Sequence, residues 1–136
     1  DTIVGIKEAA GSLDQVSDLV VRTNLTVLSG DDSLTLPMMS VGAEGVVSVV
    51  ANLVPKDVMA LVAAFQDGRI AQARSLHQAL FPLCRDLLGL ATNPIPLKLA
   101  MQLLGRGNGE LRLPLVAPDE AALGRLRQSL VAYGLL

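Results

Sequence analysis

Three times before residue 68 a short apolar run is followed by a stretch whose apolar residues return every three or four positions. No other feature restricts the fold as much. The runs are "TIVGIK" at 2–7, "LTVLS" at 25–29 and "GVVSVV" at 45–50. Consecutive strands separated by helices lie in one sheet as parallel neighbours joined by right-handed crossovers. The candidates are an open doubly wound sheet and a closed barrel, and three strands cannot close a barrel that needs eight. On the barrel reading the chain supplies only part of the structure. The surface left for the rest to cover then accounts for a composition that is 51% hydrophobic, with mean hydropathy +0.48.

Local signals set the element boundaries. In the first strand parity sends Thr2, Val4 and Ile6 to one face and Ile3, Gly5 and Lys7 to the other. Ser12 opens an S-x-x-Q capping box with Gln15, and Leu13, Val16, Leu19 and Val20 carry a helix to about Arg22. The second strand ends at Gly30. Asp31 or Asp32 then caps a short helix from Ser33 to about Val41, inside which Pro37 removes a hydrogen bond. The third strand is almost wholly apolar, as in parallel sheets covered on both faces. Its helix has Pro55 in the first turn and Gly68 just past the end.

Beyond Gly68 the alternation stops. A helix is expected over 69–89, with Ile70, Ala73, Leu76, Leu80, Cys84 and Leu87 on one stripe, then others over 95–104 and 118–133. The expected division is an α/β portion at 1–68 and a helical subdomain at 69–136.

Composition excludes several classes of function. Eleven basic and 13 acidic residues, mixed along the chain for a net charge of −2, form no basic stripe, and 2% aromatic content offers few stacking platforms. Nucleic acid is therefore not an expected partner. One cysteine, Cys84, cannot form an internal disulfide, and with the single His77 it cannot build a Cys/His zinc site. A reducing cytoplasm is the expected location, and no metal or cofactor is expected. The longest apolar stretch, 45–54, falls short of the roughly 20 residues of a membrane-spanning helix, so no membrane partner is expected. A chain entering a strand almost directly from Asp1 reads as a cut from something longer.

Lys7 is the residue that asks for an explanation. An ammonium ion loses hydration on burial, and lysine at a strand end ordinarily keeps its charge in solvent. A lysine attacks a ketone only as the neutral amine. With a reference pKa of about 10.4, fewer than about one lysine in a thousand is neutral at pH 7. Burial beside apolar walls raises that fraction by disfavouring the charged form.

The segments "TIVGIKEAAG", "LSGDD", "GVVSVVAN", "NPIPLKLA" and "LRLPL" together resemble the carboxy-terminal half of the dihydrodipicolinate synthase family. These are pyruvate-dependent class I aldolases, a group that includes N-acetylneuraminate lyase. The resemblance covers essentially all of residues 1–136; "GIKEAAG" marks the superfamily, and "NPIP" followed by Lys98 favours the synthases. It implies an α/β fold: the last three β/α units, six to eight, of a (β/α)8 TIM barrel, then a C-terminal helical subdomain.

It also implies roles. Lys7 matches the Schiff-base lysine, Gly30 a position lining the site, and Val47 the residue whose backbone carbonyl contacts pyruvate. The family usually has Ile where Val47 stands and commonly Thr where Ala10 stands. The implied reaction condenses pyruvate with the aldehyde of aspartate semialdehyde in lysine and diaminopimelate biosynthesis. The implied assembly is a homotetramer. The threonines that hold the pyruvate carboxylate, the proton-shuttling tyrosine and the arginine for the second substrate belong to the amino-terminal half. That missing half is therefore an expected partner, and this chain alone is expected to be inactive. The alternatives are a related pyruvate aldolase and a non-catalytic interaction module.

Other polar residues have plainer readings. Glu8 points away from Lys7 and reads as a structural carboxylate, and Asp31 and Asp32 as a helix cap and a solvated neighbour. Lys98 reads as structural, His77 as a surface or core-edge residue and Cys84 as core. The glycines of "GRGNGE" lack the Lys-Ser/Thr ending of a phosphate-binding loop and read as a turn.

Overall fold

In a computed structural model that describes residues 2–136, three parallel strands in the order β1-β2-β3 alternate with helices. Strand β1 (Gly5–Glu8) leads to α1 (Leu13–Arg22), and β2 (Thr26–Ser29) to a 3-10 turn (Asp32–Leu34) and α2 (Thr35–Ser40). Strand β3 (Gly45–Val46) leads to a second 3-10 turn (Val50–Asn52) and α3 (Pro55–Gln66). Three helices follow: α4 (Ile70–Gly89), α5 (Ile95–Leu103) and α6 (Glu120–Tyr133). The register pairs Gly5 with Thr26, Lys7 with Leu28, and Ser29 with Val46. Two compact units result, Asp1–Gln78 and Ala79–Leu136.

The division falls inside α4 rather than at Gly68. Ile70, Arg74 and His77 line one groove with Leu36, Pro37 and Phe65, so the first turns of α4 pack with the α/β portion. Gly68 still ends α3. At φ 73° it lets Arg69 N–H donate to Ala64 O at 2.8 Å and Gly68 N–H donate to Phe65 O at 3.0 Å, which satisfies two of the helix's last carbonyls.

In the first unit one face of the sheet is covered. Val16 of α1, Val27 of β2, Met38 of α2 and Ala43 form the buried cluster, with Ile6, Leu19, Leu34 and Val41 packed against it. Each fully buried Val or Met contributes about 1.5–3 kcal/mol. The N-terminus of α1 is held as its sequence predicts, the Ser12 hydroxyl accepting from Gln15 N–H at 3.2 Å.

Three expectations are corrected. The first strand is shorter than 2–7, since its ladder starts at Gly5. The helix around Pro37 starts at Thr35, which puts the proline in the first turn, where amides have no intrahelical acceptor and no hydrogen bond is lost. The third strand is two residues long rather than six, because the amides that would extend it are bonded elsewhere, as described below.

In the second unit α4 buries Leu80, Leu83, Cys84 and Leu87, α5 buries Ile95 and Leu99, and α6 buries Leu126 and Leu130. Helices α5 and α6 pack together. The Asp86 side chain, 17% exposed, accepts from Arg85 Nε at 2.8 Å and from the Ser129 hydroxyl, tying α4 to α6. Burial pushes the Asp86 carboxyl up, but the hydrogen bonds from Arg85 and Ser129 and the charges of Arg85 and Arg125 outweigh it. The group is held below the usual carboxylate range.

A depressed folded pKa stabilises the fold above the unfolded value, and this contribution disappears as pH falls through the folded value. The protein should therefore melt higher than Asp86→Asn at neutral pH, with the gap closing below about pH 4. Melting curves that stay parallel down to acid pH would contradict this role for Asp86.

Candidate active site

Lys7, Gly30 and Val47 all lie at the carboxyl ends of the three strands. Lys7 is the penultimate residue of β1, Gly30 directly follows β2, and Val47 directly follows β3. In parallel α/β sheets this is the end at which ligands bind, because loops and helix N-termini converge there. Parity holds: Gly5 and Lys7 are exposed on one face, while Ile6 turns toward the core and Glu8 is buried at 3% exposure.

Lys7 and Gly30 are in intimate contact. A Cβ built on Gly30 would lie 2.6 Å from Lys7 Cε, 3.0 Å from Lys7 Cγ and 2.7 Å from Ala9 Cβ. The aliphatic stem of Lys7 therefore lies across the bare α-carbon of Gly30. Gly30 is fixed in turn by its N–H, which donates to Glu8 O at 2.6 Å. Val47 N–H donates to Ser29 O at 2.8 Å, and the residue is 45% exposed.

The expected burial of Lys7 is not met within this chain. The side chain is exposed, as are Ile3 at 71% and Val4 at 74%. The reason is topological: β1 has a strand neighbour on one side only, and the face carrying Gly5 and Lys7 lies opposite the helices that build the core.

The acidic residues near the site are structural, with one surprise. Glu8 Oε1 accepts from Ala10 N–H at 2.7 Å, which fastens the loop after β1; Oε2 is the one buried side-chain oxygen or nitrogen without a partner among the described residues. Asp31 accepts from the Ser33 hydroxyl at 3.0 Å. Asp32, expected to cap its own helix or face solvent, is 6% exposed and reaches the loop after β3. Its Oδ1 accepts from the Ser48 hydroxyl, and its Oδ2 from Val49 N–H at 2.9 Å and Val50 N–H at 3.2 Å. Those bonds end β3. No short-range signal identifies Asp32, since its partners lie 16 to 18 residues away.

The remaining candidates keep to supporting places. Lys98 Nζ donates to Glu110 O at 2.7 Å, pinning the loop after α5, and Asn108 Oδ1 accepts from Glu110 N–H at 3.0 Å to form a turn there. His77 is half-buried and burial lowers its pKa. Among the described residues no cluster of three His, Cys, Asp or Glu side chains is arranged to hold a metal ion, and no helix is long and apolar enough to cross a membrane.

Residues 1–132 match the model of the dihydrodipicolinate synthetase family. The chain belongs to that family. It is 48% identical over 137 aligned residues to a 4-hydroxy-tetrahydrodipicolinate synthase from Heliobacterium modesticaldum, a match covering 99% of this chain and 45% of that protein. A solved 4-hydroxy-tetrahydrodipicolinate synthase from Methylacidiphilum fumariolicum SolV superposes with a TM-score of 0.94 at 50% identity, over 97% of this chain and 44% of that one. A chloride-inhibited dihydrodipicolinate synthase from Acinetobacter baumannii, solved in complex with pyruvate, superposes with a TM-score of 0.91 at 33% identity, over 98% and 46%. The chain thus spans a little under half the length of these family members.

Proposed function

We propose that the chain supplies the sixth, seventh and eighth β/α units and the helical subdomain of a (β/α)8 barrel. In the complete protein it carries the Schiff-base lysine of a 4-hydroxy-tetrahydrodipicolinate synthase. The observation that carries this reading is the seating of the Lys7 stem on Gly30 at the carboxyl end of a parallel sheet, with Val47 at the same end. Family membership and the pyruvate complex of the Acinetobacter baumannii relative support pyruvate as the first substrate.

The chemistry starts with Lys7 Nζ, as the neutral amine, attacking the ketone carbon of pyruvate. Loss of water leaves a protonated imine. Its nitrogen withdraws electrons, the pyruvate methyl group gives up a proton, and the resulting enamine carbon adds to the aldehyde of aspartate semialdehyde. Gly30 keeps the amine close to the strand ends and leaves room beside it. The Val47 carbonyl faces the pyruvate site, where it accepts a hydrogen bond from the hydroxyl formed when the Lys7 amine adds to the ketone, since pyruvate itself has no donor. The groups that hold the pyruvate carboxylate and relay protons come from the portion that the relatives carry beyond the matched region. That portion also covers the exposed Lys7 face and lowers the dielectric around the amine. Assembly as a homotetramer and a place in the cytoplasm, in lysine biosynthesis, belong to the same proposal.

The test is reductive trapping in the complete protein. Pyruvate with borohydride should fix a stable adduct on Lys7, located by peptide mass mapping. The other lysines of this chain are Lys56, exposed in the first turn of α3, and Lys98, engaged with the Glu110 carbonyl. An adduct on either of these, or none at all, would overturn the assignment.

A further inference from the structure

We infer that Asp32 is a positioning residue for the pyruvate-facing carbonyl of Val47, an inference that rests on the proposed function. In a parallel ladder a residue whose N–H bonds Ser29 O receives at its own carbonyl the N–H two residues further along, here that of Asp31. That bond is absent. Asp31 N–H donates instead to Ser29 Oγ at 3.1 Å, and the Ser29 hydroxyl donates to Asp31 O at 2.8 Å, so the serine closes this segment on itself. Among the described residues no hydrogen bond reaches the Val47 carbonyl. It is an acceptor left over by the ladder at the strand ends where Lys7 lies.

A free carbonyl on a mobile loop would be a poor contact, since orienting it on binding costs entropy. Here the peptide that bears it is gripped on both sides. Before it, Val47 N–H is bonded to Ser29 O at 2.8 Å. After it, the buried Asp32 carboxylate takes the Ser48 hydroxyl and the amides of Val49 and Val50, and Ser48 Oγ also accepts from Ala51 N–H at 2.8 Å. Hydrogen bonds to an ionised acceptor are shorter and stronger than neutral ones, and three on one carboxylate fix the turn. Asp32 touches no substrate in this arrangement and acts through the main chain of residues 47–50.

The test is steady-state kinetics on the complete protein, varying pyruvate at saturating aldehyde, for Asp32→Asn, Ser48→Ala and Ser48→Thr. Asp32→Asn keeps the shape but loses one acceptor. Ser48→Ala loses the hydroxyl, and Ser48→Thr keeps it. Asp32→Asn and Ser48→Ala should each raise the pyruvate KM about tenfold, the scale of one misoriented hydrogen bond. The aldehyde KM should stay unchanged and kcat should fall by less than about threefold, with Ser48→Thr near the parent. The double variant should be no worse than the poorer single one, because both act through one contact.

A pyruvate KM unchanged in Ser48→Ala, or raised equally for both substrates, would overturn the inference even if Asp32→Asn does not fold. Borohydride trapping separates the two readings. A Lys7 adduct with unaltered pyruvate KM in the variants sinks the Asp32 role alone, whereas no Lys7 adduct in the unsubstituted protein sinks both.

Discussion

Lys7→Ala in the complete protein should abolish turnover, lowering kcat by on the order of ten-thousandfold or more, because Lys7 is the one lysine that this chain places at its strand ends. Lys7→Arg should fail to the same extent while keeping the positive charge. A guanidinium stays protonated and cannot attack a ketone. The arginine variant therefore separates an electrostatic role for Lys7 from a covalent one. Pyruvate with borohydride should leave both variants unlabelled, while circular dichroism and melting temperature stay close to the parent, since Lys7 takes no part in the buried cluster of the α/β portion. Undiminished turnover in either variant would remove the basis of the proposed chemistry.

Gly30→Ala should be the next most damaging change. The added methyl would sit 2.6 Å from Lys7 Cε and 2.7 Å from Ala9 Cβ. The lysine stem can swing away, but Ala9 is anchored through the main chain by the bond from its neighbour, Ala10 N–H, to Glu8. Relief therefore takes both a swing of the lysine stem and a shift of main chain beside Ala9, and each displaces the amine. A displacement of about 1 Å in a reacting group costs on the order of a hundredfold in rate. Single-turnover labelling with pyruvate should slow by about that factor in Gly30→Ala, and further in Gly30→Val. Labelling at the parental rate would mean that the lysine does not need its seat on Gly30.

What the sequence made legible follows from the range of the forces involved. The start of α1 at Ser12 and the end of α3 at Gly68 rest on bonds spanning only a few residues, and both appear as expected. So does the parity of β1, which depends only on the alternation of side chains along a strand. The length of β3 was not legible. An apolar run such as "GVVSVV" reads as strand throughout, yet an aspartate 16 residues upstream bonds Ser48 and ends the ladder. The Pro37 expectation failed because the helix starts two residues later than Ser33, enough to make an interior proline a first-turn one. At the site, adjacency at the strand ends could be inferred from three β-α units, but the contact between the Lys7 stem and Gly30 could not. The exposure of Lys7 is a property of the sheet's uncovered face rather than of any local pattern.

The loop after β3 has a consequence for how this protein tolerates mutation. If the group offered to substrate at position 47 is a main-chain oxygen, no codon change there can delete it, and the side chain is free to drift between valine and isoleucine. The vulnerability moves to residues that never meet the substrate. Asp32, Ser29 and Ser48 set the course of that strand end, so they, rather than residue 47, are where a single nucleotide change would impair pyruvate capture.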